Sequence, residues 1–148
     1  MRIYLPLATE DRVALESSAA RLELAARRAA WGVHAEALRD RPGQDVEDLE
    51  YDALQDAVHI AYRIGAADQR ALVIAADVPD AAVEVAGEDG GAFGVVTVAP
   101  TQARIASFHV TELDAAAADA DDTDPALLWF DASEGGAALA FLDDAAEA

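Results

Sequence analysis

The apolar run from Ala71 to Ala76 ends abruptly on Asp77, with Val78 and Pro79 following. It lacks the alternation of a half-exposed strand, and so predicts a central strand covered on both faces. Before it the pattern is mostly helical. Residues 2–5 predict a short first strand closed by Pro6, and Thr9 predicts the N-cap of a long helix running to about residue 30. Glu10 and Asp11 at its start and Arg27 and Arg28 at its end complement the helix dipole. Leu15, Ala19, Leu22 and Ala26, at spacings of 4, 3 and 4, form its apolar stripe, and Gly32 ends it.

A short second helix over residues 33–41 is expected before the break at Pro42 and Gly43. Asp45 then caps the best-defined helix, residues 46–64, with Gly65 placed to stop it. Val46, Leu49, Ala53, Ala57, Ile60 and Ile64 supply its buried stripe.

After the central run the period changes to two. Residues 82–85 and 95–98 read as a hairpin, with turn residues Glu88, Asp89, Gly90 and Gly91 between them. Residues 105–111 form a further strand, placing Ile105, Ser107, His109 and Thr111 on one face and Ala106, Phe108 and Val110 on the core face. A short helix over 113–120, a polar connection over 121–125, a last strand over 127–130 and a terminal helix from Ser133 complete the chain.

This order predicts a single α+β domain over residues 1–148: a mostly antiparallel or mixed sheet of five to six strands with two or three helices packed on one face. Leu22, Leu49, Ile60, Val73, Ile74, Phe108 and Leu128 are expected to share one core.

Composition alters this picture in two ways. Alanine accounts for 38 of the 148 residues, so packing must rely on close backbone approach more than on bulky side chains. Charge is also unevenly distributed. Residues 1–70 carry thirteen acids and nine arginines, a net −4, whereas residues 71–148 carry sixteen acids and the single Arg104, a net −15. Binding to a nucleic-acid backbone requires clustered cations and is disfavoured. Cysteine is absent, which removes disulfides, thiol catalysis and thiolate metal sites. No apolar stretch reaches the length of a membrane span, and the short apolar start runs into acids, so a cytoplasmic location is expected.

Five segments together carry a resemblance: residues 1–6, 47–54, 73–80, 106–110 and 128–131, which include Tyr4-Leu5-Pro6, Glu50-Tyr51-Asp52, Asp77-Val78-Pro79-Asp80, Phe108-His109-Val110 and Trp129-Phe130-Asp131. In this order they resemble a family of small uncharacterised actinobacterial proteins, defined only as a domain of unknown function. Residues 33–39 depart from the Val-Thr-Pro-like start of that family. The resemblance implies no activity and carries over no site residue.

The candidate chemistry is sparse. Ser107, His109 and Asp77 offer a nucleophile, a base and an orienting acid, but no nucleophile elbow accompanies them, and a histidine closing a hydrogen bond at a sheet surface explains His109 as well. His34, His59 and His109 fall in no metal-ligating spacing, and the acids from Asp119 to Asp124 lack the glycine and closing glutamate of a calcium loop. No catalytic residue, metal site or cofactor is therefore assigned.

Asp77 and Asp80 at the end of the central strand, His109, and Asp119, Asp121, Asp122 and Asp124 remain as binding candidates. The leading expectation is a non-enzymatic interaction module that presents its anionic second half to a basic protein partner. The alternatives are a small enzyme or ligand-binding domain with a pocket near Asp77 and His109, and a nucleic-acid mimic whose carboxylates imitate phosphates.

Overall fold

Within the central apolar run, Leu72–Asp77 forms the strand β4, which lies between β1 (Arg2–Pro6) and β7 (Thr101–Thr111) inside an antiparallel sheet that has eight strands among the described residues. This computed structural model describes residues 1–87 and 90–144. Beyond β1 the sheet continues through β3 (Ala29–Gly32) and β6 (Gly94–Thr97) to β5 (Val83–Val85) at one edge. Beyond β7 it ends on two strands, because β7 is long enough to pair with both. Arg21–Leu24 forms β2 and borders residues 101–104, while β8 (Leu127–Asp131) borders residues 107–111.

Successive side chains of β4 enter two separate cores. Val73 and Ala75 pack with Tyr4, Trp31, Leu49, Ala53, Ala57 and Val58 beneath α3 (Val46–Ile64), flanked by α2 (Ala35–Asp40). Leu72, Ile74 and Ala76 pack on the opposite face with Ile3, Leu5, Phe108, Leu15 of α1 (Arg12–Glu16) and Leu139 of α5 (Gly135–Asp143). The helices therefore cover both faces of the sheet, not one, and the strands among the described residues number eight instead of five or six. An apolar strand on both sides requires cover on both sides, and α1 and α5 supply the second layer. These two helices meet almost backbone to backbone, since a Cβ at Gly135 would lie 2.6 Å from the Leu15 carbonyl oxygen.

The two extra strands come from the region expected to be one long helix. A 3-10 turn at Thr9–Asp11 leads into α1, which stops after Glu16, and Ser18 then takes a positive φ of 53°. Arg21 and Glu23 face solvent while Leu22 and Leu24 are buried, a period of two that the helical spacing of Leu15, Ala19, Leu22 and Ala26 had concealed. Arg27, with φ 65°, turns the chain into β3. Arg28 then ties this hairpin to α1: its guanidinium meets the buried Asp11 carboxylate at 2.7 and 3.1 Å and the Pro6 carbonyl at 3.0 Å.

Elsewhere the expected elements stand with smaller corrections. α3 begins at its Asp45 cap and ends before Gly65, but its buried side is rotated to include Leu54, Val58 and Ala61, so Ile60 is only half-buried and Val46 and Ile64 are exposed. The hairpin of β5 and β6 forms; its turn residues Glu88 and Asp89 lie outside the described residues. In β7, Ala75 faces Ser107 whereas Ala76 faces Ile105, so Ala106 is an unpaired bulge residue. The bulge shifts the alternation by one, and Ile105 therefore joins Phe108 and Val110 in the same core. Leu128 is half-buried. The short helix after β7 is α4 (Ala115–Asp119).

Candidate functional site

Antiparallel registers define what the sheet face beneath α3 presents. Tyr4, Ala75, Ser107 and Asp131 lie in one row across β1, β4, β7 and β8, and Val73, His109 and Trp129 lie in the next. Residues directly opposite one another project to the same face. α3 packs over β1, β3 and β4, which leaves the outer part of this face, on β7 and β8, less covered.

His109 stands on this flank. Its Nε2 lies 3.0 Å from Ser107 Oγ, and Ser107 is itself buried. Burial, aided by the positive charge of Arg2, pushes the His109 pKa down to about 4, so the imidazole is neutral near pH 7. Asp77 does not approach this pair. It is four residues along β4 from Val73, the partner of His109, or roughly 13 Å at strand spacing. Arg2 holds it instead, through Nε at 2.7 Å and a second nitrogen at 3.2 Å. That bond keeps the Asp77 carboxyl below the usual carboxylate range. The nucleophile and base are thus neighbours, and the orienting acid is engaged elsewhere.

Asp80 is exposed and 3.3 Å from the Met1 ammonium, at the rim of a groove of about 490 Å³ that also contains Arg2, His34, Glu50 and Val85. His34 is structural there: its Nδ1 accepts the Ala37 amide and caps α2, and its Nε2 lies 3.0 Å from the Ala92 carbonyl. Tyr4 sits between this groove and the core, its hydroxyl 3.3 Å from Glu50; burial and that acid push its pKa up to about 12.

The other four candidates gather in one place. Asp119, Asp121, Asp122 and Asp124 line an open cleft of about 710 Å³ between the acidic connection and the C-terminal half of α3, with His59, Tyr62 and Arg63 on its opposite wall. Local bonds fix the connection. Asp114 caps α4 by accepting the Ala117 amide, and Asp121 accepts both the amide and the hydroxyl of Thr123, which lowers its pKa. Tyr51 donates its hydroxyl to Asp124 at 3.1 Å, and Tyr62 donates to the Leu113 carbonyl at 2.8 Å. α3 is therefore the platform against which the acids are held.

Sequence reasoning missed Tyr51, Tyr62 and above all Trp129, which is 63% exposed on β8. A signal for Trp129 was present: it shares its strand face with Asp131, two residues on, which marks that face as solvated. Among the described residues no three His, Asp or Glu side chains converge as a metal-ligating group. No helix among them is long and apolar enough to cross a membrane.

The fold is thus an α+β protein built on a single antiparallel sheet, with an acidic cleft and an exposed tryptophan on one flank. The chain belongs to the family of unknown function DUF6912, whose profile matches residues 1–146. No curated protein and no solved structure matches it.

Proposed function

We propose that the protein is a non-enzymatic interaction module whose acidic second half docks a basic protein partner. The observation that carries this reading is the gathering of Asp119, Asp121, Asp122 and Asp124 on the wall of one open cleft, in a half of the chain whose single cation is Arg104. A cleft lined mainly by one sign of charge concentrates its field and steers an oppositely charged partner. An enzyme or ligand pocket near Asp77 and His109 is the weaker reading, because Arg2 occupies Asp77 and the one hydrogen bond of the His109 ring among the described residues goes to Ser107.

Binding of an unstructured arginine-rich peptide is the test, measured for the wild type and for a variant carrying Asp119→Asn, Asp121→Asn, Asp122→Asn and Asp124→Asn. The wild type should bind saturably at one to one. Association should slow about tenfold or more between low and physiological salt as steering is screened. Over the same range the free protein should become more stable, because salt relieves its self-repulsion. The fourfold variant should fold and bind weakly. Equal binding by the variant, or association indifferent to salt, would remove the acidic cleft from the interface.

A further inference from the structure

Three strands of the sheet have an open side among the described residues: β5, β2 and β8. Two of them are guarded in the ways natural sheets guard their edges. β5 is three residues long, and its central Glu84 is paired with Arg27; β2 presents the charged Arg21 and Glu23. β8 has no such protection. It runs Leu127, Leu128, Trp129, Phe130, and reaches its one charge only at Asp131.

The ladder identifies which backbone groups of β8 are free. Glu112 donates its N–H to the Ala126 carbonyl at 3.0 Å, one step beyond the Thr111–Leu127 pair. Bonded and non-bonded pairs alternate in an antiparallel ladder, so Ala126, Leu128 and Phe130 turn their N–H and C=O groups to β7, and Leu127, Trp129 and Asp131 turn theirs outward. The outward N–H of Asp131 is taken by Glu134 Oε1 at 2.9 Å, in agreement. Leu127 and Trp129 are left with two donors and two acceptors on the open side, bonded to no described residue.

We propose that this open side of β8 receives an extended segment of the basic partner as an added strand, with cations at alternate positions. The inference rests on the acidic-surface reading above and specifies how the partner is held. Leu127, Trp129 and Asp131 share one face, and residues of the added strand opposite them must share it too. Asp131 lies at one end of that face, and Asp124, held by Tyr51, adjoins the other. No cation occurs in the sequence after Arg104. An arginine over the exposed Trp129 indole gains a cation–π contact, and one beside Asp131 gains an ion pair. A second copy of this chain would bring the same acids against themselves, so charge selects a cationic strand over self-association.

The probe is a blocked nine-residue peptide alternating arginine and valine, compared with a peptide of identical composition in which the arginines are contiguous. The alternating peptide should bind about tenfold or more tightly, since only it places its cations on one strand face. Trp129→Pro removes an outward N–H and none that bonds β7, and should reduce the alternating peptide to the level of the contiguous one. Trp129→Thr keeps the N–H and should retain part of the difference. Should Trp129→Pro fail to fold, the wild type is tested with an alternating peptide N-methylated at the residues facing β8. That peptide keeps its charge but loses its donors, and should also fall to the contiguous level.

Undiminished binding by Trp129→Pro or by the methylated peptide, with loss only in the fourfold asparagine variant, would overturn strand addition and leave the acidic-surface reading standing. Failure of both peptides to bind saturably would defeat that underlying reading as well. A dimer that Trp129→Pro converts to monomer would assign the edge to a second copy, and would overturn the proposal.

Discussion

His109 gives the sheet a proton-linked weakness. Unfolded histidine takes up a proton near pH 6.5, whereas in the fold burial delays this to about 4. Between those values the unfolded chain binds the extra proton, so stability falls as pH drops through the window and the loss is complete below it. The full effect is on the order of 3 kcal/mol. Denaturant unfolding of wild type and His109→Gln across this range isolates it, because the carboxylates common to both cancel in the difference. The stability of the wild type relative to the variant should decline from pH 6.5 to 4; a flat difference would mean that His109 is well solvated in the fold. Asp11 and Gln55 show the other fates of buried polar groups. Asp11 receives two bonds from Arg28 and one from the Ala8 amide, whereas the amide atoms of Gln55 meet no hydrogen-bond partner among the described residues.

Among the elements, α3 and β4 were legible because each carries a strong local signal. The Asp45 cap, the apolar spacing and Gly65 bracket α3, and an apolar run can be satisfied only inside the sheet. The rotation of α3 was less legible, since alanines at Ala53, Ala57 and Ala61 fit several stripes equally well. Leu49→Ala should therefore cost about 2–5 kcal/mol, and Ile60→Ala roughly half as much, because Leu49 is fully buried and Ile60 only half. Thermal or urea unfolding of the two variants decides this, and a larger loss at Ile60 would contradict the observed rotation. β2 and β3 were not legible for a different reason. Both turns pass through non-glycine residues at positive φ, Ser18 and Arg27, and the Arg28–Asp11 pair that ties the hairpin to α1 is a tertiary contact, so no local pattern reveals them. The Ala106 bulge is likewise a consequence of pairing with β4, although it decides which face Ser107 and His109 share.

For the whole molecule, the charge asymmetry was plain in the sequence, but its location was not. The candidate acids divide between two regions: Asp77 and Asp80 answer cations at the start of the chain, while Asp119, Asp121, Asp122 and Asp124 form the cleft beside α3. Only folding places the second group on the flank where β8 leaves its edge open and Trp129 exposed. The most direct measurement is residue-resolved amide hydrogen exchange, with and without saturating alternating peptide. In the free protein Leu127 and Trp129 should exchange much faster than Leu128 and Phe130, whose N–H groups bond β7. With peptide bound, exchange at Leu127 and Trp129 should slow about tenfold or more while Leu128 and Phe130 change little. Unaltered exchange at Leu127 and Trp129 in the saturated complex would contradict docking at this edge.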